Sequence, residues 1–169
     1  MAVQVGIILG STSDWPHVQP AALMLKEWGI GFEVVVASAH RSPKRTQAYA
    51  REAPGRGLKV IIAAAGAAAH LAGMMAAETI LPVIGVPMPG SYLLGLDSLL
   101  ATVQMPAGVP VATMAIGSPG ARNAAIFAAE ILALSDVRLQ ELLKRHKQDL
   151  EEKVARQTEE IPQEYRGGD

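Results

Sequence analysis

Short apolar runs recur along the chain, at 3–9, 31–37, 59–64, 82–87 and 109–116, each followed by a loop of small or turn-forming residues and a helix-like stretch. A brief apolar run rich in β-branched residues, without polar alternation, is the pattern of a strand buried on both faces. Strands alternating with helices at this spacing build a parallel sheet covered by helices on both sides. Five strands favour a flavodoxin-like order over the six-stranded dinucleotide fold. The expected class is α/β: a three-layer αβα, flavodoxin-like parallel sheet of about five strands, with a long C-terminal helix.

The first run, Val3-Gln4-Val5-Gly6-Ile7-Ile8-Leu9, leads into Gly10-Ser11-Thr12-Ser13-Asp14, and Pro16 sits where a helix begins. Proline loses nothing in a first helical turn. Such a loop directs backbone N–H groups above the sheet edge and favours an anion there. It is equally an ordinary βα loop with Ser13 or Asp14 as the cap, since it lacks P-loop or GxGxxG spacing. A helix is expected over 15–28, stopped by Gly29, and another from Ser42-Pro43 to about 53. A further helix passes through Met74, Met75 and Glu78. Others are expected over 95–103, 121–134 and 136–159, the last about 35 Å long at 1.5 Å per residue. The flavodoxin-like α/β domain is assigned to 1–134, and 135–169 to a helix and tail of the same domain that pack on neighbouring subunits; the tail from 161 onward either frays or folds over a partner.

Half of the residues are hydrophobic but only 4% are aromatic, so the core must be aliphatic. A net charge of -1 argues against a general nucleic-acid or anionic-membrane binder. Without cysteine there is no disulfide, thiolate metal site or cysteine nucleophile. No leader pattern and no apolar spanning stretch is visible, which points to a soluble cytoplasmic protein. Charge is unevenly placed: between Ile61 and Leu134 only Glu78, Asp97, Arg122 and Glu130 are charged. A small lone globule has too much surface to leave so long a span uncharged. Coverage by other copies of the chain is expected, with the last helix reaching a neighbour.

Ligands of doubly wound sheets bind at the carboxyl ends of the strands. Three loops there are unusually polar. The first holds Ser11, Ser13 and Asp14, the second Ser38, His40 and Arg41, and the third ends a Gly/Ala run in His70. Arg41 with serine hydroxyls and helix N-termini suits a phosphate, and Asp14 suits ribose hydroxyls. His40 is the acid/base candidate, because imidazole titrates near neutral pH. His17 and His146 read as exposed helix residues, and His40 with His70 lacks a third ligand for a metal. Met74, Met75, Met88 and Met105 read as core or interface filler, and Asp97 as a helix-start residue. The residues alone lead to a phosphoribosyl compound handled by a histidine.

Seven segments in order carry a closer likeness: Gly10-Ser11-x-Ser13-Asp14, Ser38-Ala39-His40-Arg41-x-Pro43, Ala69-His70-Leu71, Gly85-Val86-Pro87, Gly95-Leu96-Asp97-Ser98-Leu99, Gln104-Met105-Pro106-x-Gly108 and Ala115-Ile116-Gly117. With them, almost the whole chain resembles the class I N5-carboxyaminoimidazole ribonucleotide mutases of purine synthesis, also called catalytic subunits of phosphoribosylaminoimidazole carboxylase. The resemblance implies an isomerase that moves a carboxylate from N5 to C4 of the aminoimidazole ribonucleotide through trapped CO2. It implies an octamer with sites between subunits, and neither metal nor organic cofactor. His40 would be the proton shuttle. Ser13, Ser38 and Arg41 would hold the phosphate, and Asp14 the ribose. Gly10, Ser11 and the backbone of Ala65, Gly66 and Ala67 would line the base and carboxylate. His70 suits either structural hydrogen bonding or substrate contact.

The chain departs from the family in having Ala67 where a second glycine is usual, Ala72 for a proline, and Pro89-Gly90-Ser91-Tyr92 for a small Gln/Ser-containing loop. An alanine at 67 is harmless only where that residue keeps φ below zero, so the substitution bears on the shape of this loop. A flavin carrier is disfavoured because only Tyr92 offers an aromatic at the carboxyl ends, and a signalling receiver because Asp14 has no acidic partner. A class II relative that carboxylates aminoimidazole ribonucleotide directly with CO2 is the alternative on substrate.

Overall fold

The structure, a computed structural model, describes residues 2–166. Its sheet contains β1 (Val5–Leu9), β2 (Phe32–Val36), β3 (Val60–Ala65), β4 (Val83–Pro87) and β5 (Ala112–Thr113). All pairings are parallel, in the order β2-β1-β3-β4-β5. Every residue of β1 and β4 is buried, as their unbroken apolar runs require. The edge strand β2 leaves Val34 and Val36 more than a third exposed.

The helices are α1 (Trp15–Glu27), α2 (Pro43–Glu52), α3 (Leu71–Glu78), α4 (Leu96–Val103), α5 (Gly117–Ala133) and α6 (Val137–Glu159). The chain steps from β1 outward to β2, then back across β1 to β3. Right-handed crossovers therefore place α1 on one face and α2, α3 and α4 on the other. On that second face Ile8, Ile61 and Ala63 pack with Tyr49, Ala50, Leu71 and Met75. Glycine at 6 and 85 lets these layers close up: a Cβ on Gly6 would collide with the Tyr49 hydroxyl, and one on Gly85 with Thr102. The buried hydroxyl of Ser98 donates to the carbonyls of Met88 and Gly95, both at 2.9 Å, and that of Thr102 donates to Ser98 at 2.6 Å. These bonds keep buried polar atoms partnered.

Two elements differ from expectation. The fifth strand spans two residues rather than 109–116. Val109 donates its N–H to Pro106 in a turn, and Pro110 has no N–H to give. Only Met114, whose N–H reaches the Gly85 carbonyl at 2.9 Å, extends the ladder. Conversely α5 starts at Gly117 rather than 121, because Pro119 fits inside a first turn. Ala121, Ala124, Ala125, Ala128 and Ala129 form its fully buried stripe.

The chain divides into two compact units between Ile131 and Leu132. In the second unit, Asp136 caps α6 by accepting the Leu139 N–H at 3.2 Å. Leu139 and Leu143 are buried, whereas Leu150 is 50% and Val154 63% exposed. Beyond the helix, Gln163–Tyr165 forms a short turn. The Arg166 guanidinium returns to the carbonyls of Ile161 and Glu159 at 2.5 and 2.7 Å, covering the helix end. The expectation for the last three residues of the tail lies outside the described residues.

Candidate active site

The carboxyl ends of β1, β2 and β3 meet around a cavity of about 390 Å³. It is lined by Gly10, Ser11, Ser13, Asp14, Ser38, His40, Arg41, Ala65, Gly66, Ala67 and His70, which brings together every site residue named from the sequence. Ala39, Ala69, Leu71 and Gly90 complete the wall. The first three lie within the sequence segments quoted above. Gly90 comes from the loop after β4, which carried no chemical signal of its own.

The first loop is shaped by its serines. Ser11 caps a 3-10 turn, Thr12–Asp14, by accepting from the N–H of Ser13 at 3.3 Å and from its hydroxyl at 3.0 Å. Asp14 occupies the cap position of α1 but makes no side-chain cap bond. Burial pushes its carboxyl pKa up, opposed by a backbone hydrogen bond from Ser11 and by the nearby His17. His17 is half-buried rather than exposed, with Nδ1 3.5 Å from the Ser118 hydroxyl. His146 is also half-buried.

The second loop is pinned from within. Ser42 holds the cap position of α2, yet its hydroxyl turns back, accepting from the Ser38 N–H at 2.9 Å and donating to the Ser38 carbonyl at 3.1 Å. That clamp shapes the turn carrying His40 and Arg41. Arg41 Nη2 reaches the Gly10 carbonyl at 3.2 Å, tying the second loop to the first, while its Nε lies 3.5 Å from the Ser38 hydroxyl. A second, more open hollow of about 300 Å³ shares Gly10, Ser11, Ser38 and Arg41 and adds Val36 and Ser42. Arg41 therefore borders both, with exposed donors in a geometry that suits an oxyanion.

The third loop brings the second imidazole. His40 Nε2 and His70 Nδ1 lie 2.6 Å apart, with ring centroids at 4.7 Å and planes at 73°. So short a contact needs one N–H and one lone pair, so the rings share a proton position. His70 thus hydrogen-bonds His40 and also lines the cavity. The condition for a harmless alanine at 67 is not met: Ala67 has φ +53°, and Ala69 is at +42°. Left-handed backbone costs an L-residue about 1–2 kcal/mol. Among the described residues no cluster of three metal-ligating side chains occurs.

The AIR carboxylase family model matches residues 4–153. The chain is similar to the N5-carboxyaminoimidazole ribonucleotide mutase of Pseudomonas aeruginosa, 55% identical over 154 residues that cover 91% of this chain and 94% of that protein. It is similar to the mutase of the same name from Mycobacterium leprae, 52% identical over 97% of this chain and 94% of that one. The crystal structure of Treponema denticola PurE superposes with a TM-score of 0.84 at 25% identity, covering 95% of this chain and 99% of that chain. A match over most of the sequence, at identities of 52–55% and on the same fold, has one consequence: the chain belongs to the AIR carboxylase family.

Proposed function

We propose that the chain is an N5-carboxyaminoimidazole ribonucleotide mutase of purine biosynthesis, with the three-loop cavity as its active site. The observation that carries this is the His40–His70 imidazole pair in one cavity with Arg41 and the serines. The mutase names of the full-length relatives agree with it.

In this reading Arg41, Ser38 and Ser13 hold the phosphate and Asp14 the ribose. Gly10, Ser11 and the segment 65–67 face the base and carboxylate. The bond from N5 to the carboxylate carbon breaks, its electron pair stays on N5, and His40 supplies the proton that N5 takes up. Carbon dioxide is released into the cavity. C4 then forms the new carbon–carbon bond to it, and the C4 proton passes to His40, restoring its starting state. One imidazole thus serves both transfers, and His70 holds its Nε2 in place. Positioned acid–base groups contribute about 10²–10⁴-fold. Keeping the one-carbon fragment beside C4 makes its recapture effectively unimolecular.

The enzyme is further read as a cytoplasmic homo-oligomer, an octamer. Large apolar side chains exposed on and before α4 support assembly: Leu93, Leu94, Leu96, Leu100 and Val103 are each about half exposed or more. Together with the distal half of α6, they are surface a soluble chain would cover. No helix of the described residues is long and apolar enough to cross a membrane.

The test is conversion of synthetic N5-carboxyaminoimidazole ribonucleotide to the C4-carboxylated product by purified protein, without ATP or metal. The description of the family as AIR carboxylase favours one second reading, direct carboxylation of aminoimidazole ribonucleotide. Product from the uncarboxylated ribonucleotide and bicarbonate, with none from the N5-carboxylated one, would decide for it.

A further inference from the structure

The segment Gly95-Leu96-Asp97-Ser98-Leu99 does not line the cavity, yet its polar side chains are spent on the loop that reaches it. Asp97 stands in the first turn of α4, whose cap position is Gly95. Its Oδ1 accepts from the Ser91 hydroxyl at 2.7 Å and from the Ser98 N–H at 2.9 Å. The Ser91 oxygen in turn accepts from the Leu93 N–H at 3.3 Å. The Ser98 hydroxyl holds the Met88 carbonyl at 2.9 Å. Two successive residues of α4 thus tie down Met88 and Ser91, the residues on either side of Pro89-Gly90.

Within that span the proline ring fixes φ at 89, so the freedom that remains belongs to Gly90. Gly90 is also the residue of this loop that lines the cavity, and without a side chain it does so with main-chain atoms. A Cβ on it would meet nothing within 4 Å, so the two ties, rather than packing on that side, set its place. The loop is seated against the end of β3. The Met88 N–H donates to the Ala65 carbonyl at 2.9 Å, and a Cβ on Gly66 would come within 3.4 Å of the Met88 Cβ. Its neighbour at the cavity is therefore the segment 65–67, assigned to base and carboxylate. The residues assigned to phosphate and ribose stand on the loops after β1 and β2.

We propose that the Ser91–Asp97 hydrogen bond is a clamp that holds Gly90 in the cavity wall at the base end of the bound ribonucleotide. This rests on the mutase reading and makes Ser91 and Asp97 positioning residues for recognition of the base. A hydrogen bond to a carboxylate is stronger than one between neutral groups. A wall already held in place spares the ligand the cost of ordering it. His40 and His70 belong to other loops, so the clamp acts on binding and leaves the proton transfers alone.

The experiment compares wild type, Ser91→Ala, Asp97→Ala, the double variant and Ser91→Thr, which keeps the hydroxyl at a residue without positive φ. Affinity for the C4-carboxylated ribonucleotide and for ribose 5-phosphate is measured, together with KM and kcat for the N5-carboxylated substrate and assembly size by light scattering. Ser91→Ala and Asp97→Ala are expected to weaken the ribonucleotide and raise KM several-fold, with kcat and ribose 5-phosphate affinity little changed. The double variant should be no worse than Asp97→Ala, because partners in one bond are not additive, and Ser91→Thr should approach wild type. Wild-type affinity in Ser91→Ala overturns this proposal alone. So do equal weakening of ribonucleotide and ribose 5-phosphate, losses that multiply in the double variant, or a change of assembly size in Ser91→Ala. A wild type that does not convert the N5-carboxylated ribonucleotide overturns the mutase reading and this inference with it.

Discussion

At the scale of single residues, the pairing of His40 with His70 separates a positioning role from simple contact with a ligand. His70→Ala leaves His40 Nε2 without its ring partner. Losing one hydrogen-bonding partner costs about 1–3 kcal/mol, or roughly 5- to 150-fold in rate. The expected loss falls on kcat, with KM little changed and the pH–rate profile displaced; His70→Asn should recover part of it. A raised KM at unchanged kcat would mean that His70 only touches substrate. Asp14 makes a prediction about stability. Its folded-state pKa is raised, so the folded chain holds the proton more tightly than the unfolded one. That contribution is present below the ordinary value of 3.8 and is lost as pH rises through the folded-state value. Asp14→Asn should therefore melt at or above wild type at neutral pH, and the difference should close in acid, while ribonucleotide binding weakens. Thermal melts from neutral pH down to about 3 check the sign.

At the scale of elements, the loops that end strands line the cavity, and hydrogen bonds within them set their shapes. Ser42 shows how. Residue type and position made it an evident helix cap, yet its hydroxyl serves Ser38 instead. Ser42→Ala removes both bonds and leaves the Ser38 N–H unpartnered, which should lower stability by about 1–3 kcal/mol. It should also weaken ribonucleotide binding, because Ser38 and Arg41 lose their common frame; Ser42→Thr should restore most of both. Calorimetry and titration of the same samples decide it.

The strand runs, α1, α4 and α6 were legible because their apolar spacing and punctuation are local properties. So was the list of residues around the cavity, since topology alone brings strand ends together. The extent of β5 was not, because it depends on how the N–H of Val109 is spent in a turn. The left-handed Ala67 was not legible either, since residue type predicts the opposite φ. The partner of His70 lies thirty residues away in sequence, and no spacing rule reports ring-to-ring distance.

At the scale of the whole molecule, the assembly reading joins a sparsely charged middle, apolar residues exposed around α4 and an α6 whose second half is exposed from 147 onward. Burial of such surface is worth about 25 cal/mol per Å² before ordering costs, enough to hold an interface of obligate size. Deletion from Asp136 onward touches no residue assigned to chemistry. It is expected to abolish both assembly and activity, as read by light scattering and by the conversion assay. An active monomer, intact or truncated, would contradict the assembly reading while leaving the cavity chemistry standing.

The claim on which the rest depends is that His40 moves protons in a cavity that binds the carboxylated ribonucleotide. Single-turnover conversion of N5-carboxyaminoimidazole ribonucleotide by wild type and His40→Asn, with ligand affinity measured on the same preparations, tests it most directly. The account predicts product from wild type, affinity in His40→Asn within a few-fold of wild type, and a rate lower by at least about 10²–10⁴-fold. No product from wild type, or a His40→Asn variant that keeps a tenth of the wild-type rate, would contradict it.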